Sequence, residues 1–184
     1  MSGSDLVAAG SLGMQIHGET LPVEGLLQIE RDGGVAFRFD GTDSLLLRAR
    51  IQKIGERLLA LCGRCELPVE HEFGDGLYIR RLLIPKGTLI VGRVHKLGCV
   101  NVVEQGDIAV LTESGAMRVR TGFLVHSPAG LQKLGYANED TVFTNIFSTN
   151  ETDIETLEAM IVCDTHDQIE LALEDSSMMI EEGA

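Results

Sequence analysis

Arg93, His95 and Cys99 sit close together in the run VGRVHKLGCVNVVEQGDIAVL (residues 91–111), and Lys133 follows one strand pair later. A histidine nitrogen and a cysteine thiolate are ligands for zinc, which takes at least three protein ligands in its usual sites. An arginine offers a planar fork to a carboxylate or phosphate, and a lysine a point charge. Strand alternation puts Arg93 and His95 on the same side of their strand. Two chemistries are therefore open. One is a metal centre, for which His95 and Cys99 would be the ligands and zinc or iron the ion. The other is an anion pocket held by Arg93, His95 and Lys133. Beside both stands the plain alternative that Arg93 and Lys133 pair with interior acids or reach solvent and the pocket is vestigial. His126 ends a strand-like run, and Tyr136 and Asn138 closely follow Lys133, so these join Cys99 as candidate lining residues. Glu104 is near in sequence, but alternation alone does not bring it to the same place.

Other reactive residues read more plainly. Cys62-Gly-Arg-Cys65 has the C-x-x-C spacing, but it follows a helix, whereas a thioredoxin-type pair precedes one. It is read as two reduced structural cysteines. Cys163-Asp-Thr-His166-Asp167 stands alone in an acidic stretch and is read as solvated tail. His17 and His71 have no visible partners. Nothing resembles a phosphate loop, a serine nucleophile elbow or a paired-carboxylate acid/base set.

The elements that would position these residues follow from periodicity. LLQIERDGGVAFRFDG alternates on either side of Asp32-Gly33-Gly34 and predicts a hairpin. In TDSLLLRARIQKIGERLLALCG, Leu47, Ile51, Ile54, Leu58 and Leu61 recur at helical spacing, with Arg50, Lys53 and Arg57 opposite. Thr42 or Asp43 caps that helix and Gly63 ends it. From Leu77 to Phe147 the period becomes two. LYIRRLLI, TLIVGRVH, VNVVE, DIAVLTE, MRVRTGFLVH and TVFTNIFS are the predicted strands, separated by Gly- and Pro-containing turns. Many short strands so punctuated argue for an all-β barrel or sandwich. A short helix is predicted after Thr152-x-x-Glu155.

The strand block resembles the cupin superfamily. Gly87, Arg93, His95, Cys99 and Gly106 match the spacing of that family's first motif, and Gly122, Pro128, Gly130, Lys133 and Ala137 that of its second. The resemblance covers about residues 77–147. It implies a mainly β, double-stranded β-helix barrel, here with an N-terminal hairpin and helix and a C-terminal helix. A typical cupin holds Fe, Mn, Ni or Zn through two His and a Glu of the first motif and a His of the second. In this chain those four places carry Arg93, His95, Cys99 and Lys133. Two fixed positive charges oppose a divalent cation at close range. The wider run, from LIPKGTLIVGRVHK to TNETDIETLE, also resembles small cupin proteins of bacteriophage and prophage genomes.

Length and charge set the remaining expectations. The chain has 184 residues and a formal net charge of −13. Every Lys and Arg lies at or before Lys133, balanced there by as many acids, while 13 acids lie between Glu139 and Glu182. Such acidity disfavours nucleic acid. No apolar run is long enough to span a bilayer, the N-terminus has no secretory pattern, and four cysteines suit a reducing cytoplasm. The division expected is a flexible N-terminus (1–13), a hairpin and amphipathic helix (14–65), the barrel (66–148) and an acidic helix and tail (149–184). The leading functional expectation is a non-catalytic barrel without a cofactor, holding a small anionic metabolite or sequestering a signalling nucleotide. The alternatives are a virion component using the barrel as scaffold, with virion proteins as partners, and a metal-dependent isomerase or dioxygenase. Exposed strand edges and the hairpin suggest a homodimer or larger homo-oligomer.

Overall fold

The computed structural model describes residues 6–9, 15–16, 19–20, 23, 25–63 and 67–169. Three short strands come first: β1 (Leu6–Ala9), β2 (Gln15–Ile16) and β3 (Glu19–Thr20). The predicted hairpin follows as β4 (Leu27–Ile29) and β5 (Val35–Phe37), and then the predicted helix α1 (Ser44–Cys62). Asp43 caps α1 by accepting from the Leu45 amide, and Gly63 at φ 71° ends it. Residues 1–13 are expected to be flexible, yet Leu6–Ala9 form a strand in antiparallel register with residues 88–91.

Twelve further elements build the rest. They are β6 (Val69–Gly74), β7 (Leu77–Ile84), β8 (Thr88–Val91), β9 (Val94–His95), β10 (Cys99–Gln105) and β11 (Asp107–Thr112). After these come β12 (Gly115–Arg120), β13 (Leu124–Ser127), β14 (Leu134–Ala137), β15 (Thr141–Ser148), α2 (Ile154–Ile161) and β16 (Val162–Cys163). Two of the predicted strands are each broken in two. TLIVGRVH divides at Gly92-Arg93 and MRVRTGFLVH at Thr121-Gly122-Phe123.

Two five-stranded antiparallel sheets face each other, in the orders β1-β8-β14-β11-β12 and β13-β10-β15-β7-β6. This is a mainly β, cupin-like barrel, as the glycine and proline skeleton implies. Gly106 shows why that skeleton is needed. Its φ is +97°, and a Cβ there would lie 2.5 Å from the Asp140 carbonyl oxygen, so the β10–β11 corner closes only around glycine.

The first sheet has a core on both faces. Outward, Leu89, Val91, Ala109, Leu111, Leu134 and Tyr136 pack with Leu47, Ile51, Ile54 and Leu58 of α1 and with Val35 and Phe37 of the hairpin. Each such aliphatic side chain contributes about 1.5–3 kcal/mol when fully buried. Inward, Ile90, Ile108, Val110 and Ala137 meet Leu82, Ile84 and Val103 of the second sheet. The expected boundary at residue 65/66 therefore does not separate two cores.

Charge pins the hairpin to the barrel. Asp107, only 5% exposed at its side chain, accepts from Arg118 Nε at 2.8 Å and Nη2 at 2.7 Å and from Arg120 Nε at 2.8 Å. Arg118 also donates to Glu30 and Asp32 of the hairpin, both at 2.7 Å. These arginines hold the Asp107 carboxyl below its ordinary pKa against the opposing effect of burial. Asn138, expected at the pocket rim, instead bonds the Val35 amide at 2.7 Å and the Val35 carbonyl at 2.9 Å. The hairpin is thus tied to the barrel of its own chain.

Candidate functional site

Register fixes which side chains enter the barrel. On β7, Tyr78, Arg80, Leu82 and Ile84 share a face, and β15 sets Phe147, Asn145, Phe143 and Thr141 directly opposite them. From the other sheet, Gly135 of β14 pairs with Ile90 of β8 and with Val110 of β11. Lys133 precedes β14, and its carbonyl accepts from the Gly92 amide at 2.8 Å. Between the sheets lies a cavity of about 80 Å³ lined by Arg80, Arg93, His95, Lys133, Asn145 and Glu158 at one end and by aliphatic side chains at the other.

The expected residues Arg93, His95 and Lys133 thus share one cavity. Arg93 Nε donates to Asp164 Oδ1 at 3.1 Å near the mouth. Burial, then the charges of Lys133 and Arg80, drive the His95 pKa down to about 3. Burial likewise raises the Cys99 thiol, with Lys133 opposing. Cys99 Sγ lies 3.5 Å from His95 Nδ1, so the contact joins a neutral thiol to a neutral imidazole. Behind it runs a buried polar chain. Ser127 Oγ donates to Asn101 Oδ1 at 2.7 Å, and Asn101 Nδ2 donates to Cys99 Sγ and Asn145 Oδ1, both at 3.0 Å. At the rim, Tyr78 hydrogen-bonds His71 Nδ1 at 2.7 Å. Its ring stacks against Phe73 and Phe147.

The acidic segment closes over this end, contrary to the expectation of a solvated tail. Asp153 caps α2 by accepting from the Thr156 amide at 2.9 Å, one residue later than the Thr152 capping box predicts. Leu157 and Ile161 are buried with Tyr78, Cys99 and Phe147, and Glu158 faces the cavity. Val162 and Cys163 of β16 then pair with His95 and Val94. Cys163 is buried, and so is His166, whose Nε2 donates to the Gly130 carbonyl at 3.1 Å. Lys96 Nζ donates to the Ala159 carbonyl at 2.6 Å. Residues 154–169 are therefore a roof.

Three proposed lining residues lie elsewhere. Cys99 is buried with its thiol against His95 Nδ1 and Asn101 Nδ2 and is not part of the cavity lining. Tyr136 is an odd number of positions from Lys133 and so turns outward, into the core beneath α1. His126 is exposed on β13, where alternation sends Val125 and Ser127 inward instead. Glu104 also points out, to Arg81 at 3.0 Å and Thr144 at 2.6 Å. Conversely, Arg80, Asn145, Glu158 and Tyr78 line the site without having been singled out. The signal for Arg80 was parity with Leu82 and Ile84. The signal for Glu158 was its place four residues after Ile154, on the helix face shared with Leu157 and Ile161.

The donor set does not fit the metal ion of a typical cupin. Among the described residues, no three His, Cys, Asp or Glu side chains converge. The four motif positions supply two cations, a neutral imidazole and a thiol that burial keeps protonated, whereas zinc binds thiolate.

No protein-family model matches the chain, and no curated protein matches it. Solved structures of similar fold include KdgF from Halomonas sp., at 18% identity and TM-score 0.41, covering 47% of this chain and 81% of that one. A cupin-2 domain containing protein from Shewanella frigidimarina aligns at 11% identity and TM-score 0.38, over 44% of this chain and 79% of that one. A cupin-like protein from Thermotoga maritima aligns at 18% identity and TM-score 0.38, over 44% and 66%. Among the described residues, no helix is long and apolar enough to cross a membrane.

Proposed function

We propose that this protein binds a small anionic molecule inside its barrel and holds it without chemical conversion. The observation that carries this reading is that Arg80, Arg93 and Lys133 line one cavity between the two sheets. In such a partly desolvated site a charge-assisted hydrogen bond is stronger than in water. His95, held neutral, suits hydrogen bonding to the bound group rather than ion-pair chemistry, and the protonated Cys99 thiol behind it is no nucleophile. A volume of about 80 Å³ favours a small metabolite over a whole nucleotide. Sequestration, the role suggested by resemblance to phage proteins, is one use of such binding.

A thermal-shift screen of small anions tests the reading. A ligand that binds only the folded state stabilises it by RT ln(1 + [L]/Kd), about 2.7 kcal/mol at a hundredfold excess over Kd. The shift should disappear in Arg80→Ala and Lys133→Ala, weaken in Arg93→Ala, and persist in His126→Ala, which lies outside the barrel. No shift with any anion, or near one equivalent of metal per chain by elemental analysis, would overturn it.

A further inference from the structure

The cavity is polarised along the barrel axis, and this polarity specifies the ligand more closely. Rows of paired residues give the order of depth. Beneath the roof, Arg80 stands opposite Asn145, with Lys133 and Arg93 entering at the same end. The next rows carry Leu82 opposite Phe143 and Ile84 opposite Thr141, whose hydroxyl is bonded to the Glu139 carbonyl, and from the facing sheet Ile90, Ile108 and Val110. The four residue steps from Arg80 to Ile84 span about 13 Å of strand.

Charge at the polar end is also informative. Arg80, Arg93, Lys133 and Glu158 are the charged groups that line the cavity, and Asp164 engages Arg93. Cations outnumber acids in the lining, which suits an anion. The planar fork of Arg80 and the amide of Asn145 across from it suit a carboxylate's two oxygens.

We propose that the ligand is a short-chain aliphatic monocarboxylate, its carboxylate held by Arg80 and Lys133 beneath the roof and its hydrocarbon end against Leu82, Ile90, Ile108 and Val110. This rests on the anion-binding reading above and adds the apolar tail and its direction. The carboxylate stays near the entrance, where its desolvation is offset by the two cations. The hydrocarbon takes the dry end, where an unfilled space would forfeit dispersion contacts.

Calorimetric titration of the intact protein with unbranched monocarboxylates, acetate through octanoate, tests the assignment, with inorganic phosphate and sulfate as probes of the head group alone. Affinity should rise about fourfold with each added methylene, until the floor is reached and the gain stops. Val110→Phe should move that cutoff to a shorter chain. Phe143→Leu, a milder change on the opposite wall, should move it to a longer one, so the test survives if the first variant misfolds. Acetate binding with no dependence on chain length would overturn the tail assignment while leaving the anion site intact. A cutoff that neither variant moves would do the same. Phosphate binding tighter than any monocarboxylate would overturn the carboxylate assignment. Binding of none of these probes would overturn the anion-binding reading itself.

Discussion

His95 carries two burdens. It walls the cavity, and it is a rung of the ladder to β16. Its folded pKa of about 3 lies below the ordinary value of 6.5, so the unfolded chain binds the extra proton between those values. Stability from this residue is therefore present above about pH 6.5 and is lost as pH falls toward 3. Chemical denaturation across that window should show His95→Gln losing less stability than the wild type on acidification, with a difference of a few kcal/mol at the acid end. Equal slopes would show that His95 is not held neutral. The site was partly legible at this scale. Arg93, His95 and Lys133 emerged from residue chemistry joined to motif position. Arg80 did not, because both faces of LYIRRLLI carry arginine and leucine or isoleucine, and the sequence alone does not say which faces inward. Tyr136 was misplaced because nearness to Lys133 outweighed parity.

Among the elements, the roof departs most from expectation. Four acids in residues 151–158 suggest solvation, but Ile154, Leu157 and Ile161 form a stripe that the charges conceal. Leu157 is fully buried. Leu157→Ala should cost about 2–5 kcal/mol, expressed first as undocking of the roof. The buried thiol of Cys163, which approaches the Thr165 carbonyl at 3.2 Å, supplies the readout. Its alkylation by a thiol reagent should accelerate at least tenfold in the variant, since 1.4 kcal/mol corresponds to about a factor of ten, while the second sheet keeps its hydrogen-exchange protection. Unchanged labelling would show that the roof is not held by this contact. The strands that escaped prediction are short or irregular. LGYA of β14 offers one glycine and no charged residue to mark alternation. In VEHEFG of β6, an edge strand, the acids Glu70 and Glu72 are exposed and mask the pairing with β7.

At the scale of the whole molecule, the barrel does not end where its own motif begins. The outer face of the sheet β1-β8-β14-β11-β12 depends on α1 and the hairpin for its cover. Residues 66–184 expressed alone should therefore expose Leu89, Leu111, Leu134 and Tyr136. The fragment should bind a hydrophobic dye and unfold without a cooperative transition. A fragment that unfolds cooperatively at the full-length midpoint would contradict a shared core. The fold class was legible because tight corners such as Gly106 demand a specific residue at a specific spacing. The cover was legible in outline, since an amphipathic helix packs most simply on the sheet that follows it, but which strands it and the hairpin meet was not.

Because His95 belongs both to the interior wall and to the seam with residues 162–163, events above and below it share one free energy. A molecule that grips the outer side of the C-terminal helix when docked would tighten whatever the barrel contains. By thermodynamic reciprocity the occupant strengthens that grip by the same factor.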